Sequence, residues 1–175
     1  NIDYSIFMIP TTDANFNGDY YDIFINNTAL TPIMDNRTTI DGRTQRANFS
    51  NSNTGNIPTP SGGNNVGTLG STILNYPLPE IQVHRDNGDV FRIQDTTTTI
   101  RDLAIYANNN AGILIEANGG ARIIRNLLGV DATGTTSGNI NYGVEITDGT
   151  ALIFRNYIAQ NTDAGIWVNG GTSTS

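Results

Sequence analysis

The sequence has no cysteine and no lysine, and its 175 residues include only three glutamates, one histidine and one tryptophan. Without cysteine there is no disulfide, no thiol nucleophile and no thiolate metal ligand. Secretion stays open, since a surface protein does not need disulfides. All nine cations are arginines, dispersed along the chain, and the formal net charge is −7. Phosphate binding needs basic clusters, so a general affinity for nucleic acid is not expected. Scarce Glu and absent Lys also remove the residues from which solvated helix faces are built. No stretch approaches the roughly 20 apolar residues of a membrane span. The opening Asn1-Ile2-Asp3-Tyr4 has neither the basic start nor the apolar run of a secretory leader. The expectation is a mature form or, by preference, a section of a longer protein.

In place of these residues the chain carries 24 Asn, 23 Thr and 19 Gly. All three are poor helix formers; Asn and Gly favour turns and Thr suits strands. The composition therefore points to an all-β fold. Four short segments then align: Val90-Phe91-Arg92-Ile93, Gly112-Ile113-Leu114-Ile115, Gly143-Val144-Glu145-Ile146 and Gly165-Ile166-Trp167-Val168. Their spacings are 22, 31 and 22 residues, and the polar stretch 130–138 supplies the nine extra in the middle interval. A second strand follows each of the first three, ending in Arg101-Asp102, Arg125-Asn126 and Arg155-Asn156, and these pairs are expected to recur in register.

A period near 22 with two or more short strands suits a β-solenoid, in which each coil buries its apolar face only by stacking on the next. An antiparallel sandwich is the competing arrangement, and the regular spacing favours the solenoid. Alternation sorts the side chains. Phe91, Ile93, Ile113, Ile115, Val144, Ile146, Ile166 and Val168 are expected to point inward, and Arg92, Leu114, Glu145 and Trp167 outward. Asn110, Asn118, Asn126, Asn156 and Asn161 fall at expected corners, where Asn tolerates left-handed backbone and caps free groups. Residues 1–80 read as irregular first coils with a long surface loop over 43–72, and residues 81–175 as regular coils of the same segment.

The run Ile40-Asp41-Gly42-Arg43-Thr44-Gln45 resembles the T-I-D-G-x-T-Q signature of large bacterial secreted and cell-surface proteins built from right-handed parallel β-helix repeats, relatives of the pectate lyases in fold. The resemblance extends upstream through Leu30-Thr31-Pro32-Ile33 and downstream through Thr99 to Ile105 and Asn126 to Gly134, though Thr11 to Tyr21 departs from it. It implies a right-handed parallel β-helix with long loop insertions, in an extracellular setting. The implied partners are flanking domains or further coils, self-assembly, and polysaccharide.

Several residues could carry chemistry. Asp13-Ala14-Asn15-Phe16-Asn17-Gly18-Asp19 matches the opening of a calcium loop, with Asp22 as a further oxygen donor. Phe24 stands where a helix–loop–helix calcium site needs its bidentate Glu, and an Asn-Gly turn explains the same letters. A calcium here would be structural, and no other cofactor is required. On the outward column, Trp167, Glu145 and Arg92 are the candidate carbohydrate or partner contacts, since a ring can stack on a sugar. Coverage of Trp167 by a neighbouring coil is the plainer alternative. His84 lacks any nucleophile motif and reads as a surface residue at a strand end. Arg101, Arg125 and Arg155 read as a structural ladder. The sequons at Asn26, Asn36 and Asn48 are expected by chance in so Asn-rich a chain.

Glycoside hydrolysis needs two carboxylates across the scissile bond, and the column offers only Glu145. The expected function is a non-catalytic structural or adhesive segment, with a polysaccharide lyase or glycoside hydrolase on the outward face as the alternative.

Overall fold

The computed structural model describes residues 2–26, 28–57, 65–66, 71–72, 75, 77–107, 109–135, 141–170 and 172–174. Within them the chain is all-β apart from one short helix. β1 (Asp3–Ile6), β2 (Tyr21–Ile25) and β3 (Thr38–Asp41) come first. The helix α1 (Arg43–Asn48) follows, then a small antiparallel pair, β4 (Asn65–Val66) with β5 (Ser71–Thr72). From there the strands come in threes. They are β6 (Ile81–Arg85), β7 (Phe91–Ile93) and β8 (Thr98–Arg101), then β9 (Ala104–Ala107), β10 (Ala111–Ile115) and β11 (Gly119–Ile124). Next come β12 (Leu127–Leu128), β13 (Tyr142–Ile146) and β14 (Gly149–Phe154), and last β15 (Tyr157–Ile158), β16 (Ala164–Val168) and β17 (Thr172–Thr174).

The members of each triplet enter three different sheets in constant order, so one triplet is one circuit of the chain. Sheet I runs β1-β3-β8-β11-β14-β17, sheet II β7-β10-β13-β16 and sheet III β2-β6-β9-β12-β15. Every pairing within them is parallel. Ile33 takes the place in sheet II before β7 through a parallel bridge to Ile93. The expected offsets of 22, 31 and 22 residues are the register of sheet II, in which Phe91, Ile113, Val144 and Ile166 form one column. Six of the eight residues expected inward are buried. Ile166 and Val168 differ, at 41% exposure each, because no further circuit among the described residues lies over β16.

The core is a column of Ile, Val, Leu and Ala between the three sheets, fed by Ile81 and Val83, Ile93, Ile100 and Leu103, Ile105, Ile113, Ile115 and Ile123. A second, smaller cluster lies on the outer side of sheet III, where Leu78, Val130 and Ala132 cover Ala104 and Leu127. The insertion that begins at residue 130 is therefore docked, at least through Ala132, and not a free surface loop. Asn53 ties it down: its Nδ2 donates to Pro79 O (2.7 Å) and to Ala132 O (2.8 Å). The Ala132 N–H in turn donates to Gln82 Oε1 at 2.9 Å.

The corner between sheets I and III is the tightest. It is turned by Asp102 (φ 56°), Arg125 (φ 53°) and Arg155 (φ 59°), left-handed positions that cost an L-residue roughly 1–2 kcal/mol each. This corrects the sequence register. Arg125-Asn126 and Arg155-Asn156 do align, but Arg101-Asp102 is one residue out of step, because Ile124 pairs with Arg101 and so Asp102 takes the Arg125 place. At the Arg125 and Arg155 corners the left-handed residue is the one before Asn, whereas Asn118 is left-handed itself (φ 63°). The two asparagines instead form a ladder. Asn126 Nδ2 donates to Ile100 O and Asn156 Nδ2 to Ile123 O, one circuit back. Asn126 Oδ1 accepts the Leu103 N–H and Asn156 Oδ1 the Asn126 N–H. Each Asn thus closes the donor and the acceptor that the corner leaves open.

Residues 43–72, expected as a surface loop, open instead with α1; residues 58–64 and 67–70 lie outside the described residues. The T-I-D-G-R-T-Q run builds this junction. Asp41 accepts from Arg43 Nε (3.1 Å) and Nη2 (3.0 Å) and from Arg101 Nη2 (2.6 Å). Gly42 passes so close to the next circuit that a Cβ there would sit 2.0 Å from Asp102 O. Thr44 Oγ1 donates to Asp41 O and accepts the Phe7 N–H. The buried Gln45 both accepts from Ile9 N–H and donates to Ile9 O, which sews the first segment of the chain to α1. The Asn48 side chain donates to Thr44 O (2.8 Å), so that sequon closes the helix end.

Two outcomes follow for stability. Asn126→Leu leaves buried donor and acceptor groups of two circuits unpaired and is expected to cost about 2–4 kcal/mol in urea unfolding. Burial raises the Asp41 carboxyl, but its bonds to Arg43 and Arg101 outweigh this and hold it below the ordinary Asp value. A carboxyl lowered in the folded state stabilises above its unfolded pKa, and that contribution fades as pH falls through the folded value. Asp41→Asn should therefore lower the melting temperature at pH 7 and narrow the gap to wild type in acid; an equal deficit at both ends would contradict it.

Candidate functional site

Sheet II is the one whose outward face carries the chemistry the sequence singled out. Register sets Arg92 beside Leu114, Leu114 beside Glu145 and Glu145 beside Trp167, so the expected outward column is present in full. All four are half-buried. The structure adds a residue the sequence reading missed. Tyr142 stacks on Trp167 with ring centroids 4.8 Å apart and 15° between planes. Strict alternation from Val144 would turn Tyr142 inward. It faces outward because the alternation slips at Gly143, where a Cβ would face Ile158 Cγ2 at 3.0 Å and Gly165 O at 2.6 Å. A glycine inside a strand is the signal that could have revealed this slip.

Arg92 is not free. Its Nε (2.9 Å) and Nη2 (2.5 Å) both donate to Glu116 Oε1, which also takes Gln94 Nε2 at 2.9 Å. Glu116 follows the last residue of β10, 22 positions after Gln94, which is one circuit. Glu145 has no such partner: among the described residues its carboxylate makes no hydrogen bond or ion pair. Burial first, and then the carboxylates of Asp89 and Glu116, push Glu145 above the ordinary Glu range. Asp89 is also raised, by burial, against the Ala111 N–H that it accepts at 3.1 Å. The face thus holds an aromatic pair, an unpaired carboxylate with a displaced proton affinity, an apolar floor at Leu114 and an arginine already neutralised.

The other candidates sit elsewhere. Asp13, Asn15, Asn17 and Asp19 lie in the loop before β2, where the side chains of Asp13 and Asn17 accept from nearby backbone and Asn15 Nδ2 donates to Asp13. Asp13 Oδ1 accepts the Asn15 N–H, and Asn17 Oδ1 accepts those of Asp19 and Tyr20. Asp22 stands on β2, where Gln82 Nε2 donates to its Oδ1 at 2.7 Å and His84 Nε2 lies 2.9 Å from the same oxygen. These contacts are Asx turns in the loop and a strand-to-strand pair at Asp22. No group of three or more His, Asp or Glu able to hold a metal occurs among the described residues.

His84 stands near the end of its strand, as expected, but is half-buried and not a surface residue. It lies within β6, its side chain 16% exposed, between the rings of Phe24 (4.8 Å) and Tyr106 (4.7 Å) in register across sheet III. The arginine ladder takes a branched form. Arg125 is bidentate to Asp102, Arg43 reaches Asp102 at 3.4 Å, and Arg101 pairs with Asp41. Arg155 lies over the Phe154 ring at 4.7 Å.

A carboxyl raised in the folded state binds its proton more tightly there than when unfolded. Its ionisation therefore costs stability as pH rises from the unfolded to the folded value. Glu145→Gln, which cannot ionise, is expected to melt at a higher temperature than wild type at pH 7 and at the same temperature near pH 3. A variant that melts lower at neutral pH would show Glu145 to be a stabilising group. No protein-family model matches the chain, and no curated protein or solved structure matches it either.

Proposed function

We propose that the chain is a length of right-handed parallel β-helix from a bacterial secreted or cell-surface protein, working as a rigid, non-catalytic element that offers the outward face of sheet II to carbohydrate. The observation that carries the proposal is the distribution of polar side chains. Those of the T-I-D-G-R-T-Q junction, the Asn126–Asn156 ladder and the Arg–Asp corner network are committed to holding circuits in register. The Glu145, Tyr142 and Trp167 cluster closes no corner and links no excursion. Constant strand order through three parallel sheets supports a rod that grows by stacking, with flanking coils or domains of the same protein as its partners. The resemblance of residues 40–45 supports the extracellular setting.

The enzymatic alternative would use the raised proton of Glu145 and needs a second carboxylate as base or nucleophile. Glu116 is clamped by Arg92 and Gln94, and Asp89 is buried on the Ala111 amide, which favours binding over cleavage. The test is affinity electrophoresis through gels cast with soluble polysaccharides, alongside an assay for new reducing ends. Retarded migration that Trp167→Ala abolishes, with no release of sugar, is the expected outcome. Release of reducing ends or unsaturated products, lost in Glu145→Gln, would overturn the non-catalytic assignment.

A further inference from the structure

We propose that the outward face of sheet II selects amino-sugar units that carry a free ammonium group and turns away uronate-bearing chains; this rests on the carbohydrate-facing reading above. Neighbouring strands lie roughly 4.8 Å apart, so the column from Leu114 through Glu145 to Trp167 covers about 10 Å. Along it, the apolar side of a sugar ring has Leu114 and the exposed part of Trp167 to rest on. One face of Trp167 is already taken by Tyr142, and the strand register sets Trp167 beside Glu145. An ammonium group placed here meets an unpaired carboxylate and the free face of one aromatic ring, two partners that recognise such a cation well.

The charge balance of the face decides the rest. A site for uronates needs an available cation, and Arg92 is the only formal cation in the column. It is engaged twice by Glu116, so its charge is cancelled within the protein. What remains is the unpaired carboxylate of Glu145 with the buried Asp89 near it; burial first, and then Asp89 and Glu116, raise Glu145. A uronate carboxylate would face Glu145 without a counter-charge. An N-acetylated sugar would gain only neutral hydrogen bonds, about half as strong as those with charge on one partner.

Trp167 is the sole tryptophan, so its emission reports on this face alone. The probes are a β-1,4-linked glucosamine hexamer, its fully N-acetylated counterpart, a galacturonate hexamer and poly-lysine, each titrated into the full chain at pH 6 and low salt. The glucosamine hexamer is expected to shift the emission and to bind roughly ten-fold more tightly than the acetylated one, with no response to galacturonate. Glu145→Gln should remove that preference. Arg92→Gln, which releases the charge of Glu116, should strengthen it. Equal affinity for the free and acetylated hexamers would overturn the charge selection while leaving a carbohydrate face. No response to any sugar would overturn the carbohydrate reading itself. Poly-lysine binding without glucosamine binding would replace the sugar by a protein partner.

Discussion

A parallel strand can satisfy its backbone only against a neighbour a whole connection away, and here that neighbour is always the same place in the previous circuit. Everything else in the molecule serves this constraint. Strands of two to six residues cannot hold register on their own. Register is therefore fixed at the corners, where a left-handed residue turns the chain and an Asn side chain measures the distance to the circuit before it. The interior is then filled by stacking like on like, Ile100 on Ile123 on Ile153 in sheet I and Ile93 on Ile115 on Ile146 in sheet II.

The outward column of sheet II is a by-product of the same geometry. In-register stacking places any outward residue directly beside its counterparts, so four scattered positions of the sequence become one column. That column is held at both ends of its charge range: an arginine quenched by Glu116 and, two strands away, a glutamate with nothing to quench it. Sheet III follows a different course. Its outer side is roofed by Leu78, Val130 and Ala132, and its Phe24–His84–Tyr106 stack runs from an exposed Phe24 to a buried Tyr106.

Much of this was legible from periodicity. The Gly-Ile-x-Ile segments gave the register of sheet II to the residue, because buried Ile and Val at a fixed spacing leave few other arrangements. Three things were not legible. The Arg101-Asp102 pair mimics the Arg-Asn pairs in letters while sitting one place off, and only backbone pairing distinguishes them. Tyr142 escaped because alternation slips at Gly143, which has no room for a Cβ. His84 escaped because its neighbours Phe24 and Tyr106 belong to other circuits, 60 and 22 residues away in the chain, with an excursion intervening on one side. Asp13 to Asp19, whose spelling opens like a calcium loop, carry Asx hydrogen bonds within the loop.

Stacked circuits ordinarily behave as a one-dimensional array, in which each unit senses only the units next to it and can open from an end. Asn53 breaks that rule here. It stands before the first complete circuit yet bonds the carbonyl of Ala132, 79 residues on and three circuits along, while Gln82 of the first circuit holds the amide of the same residue. A brace of this kind couples non-adjacent rungs, so the middle of the stack cannot fray without also releasing its beginning. Hydrogen exchange along sheet III would accordingly report one cooperative block from β6 to β12, with independent opening confined to the last circuit.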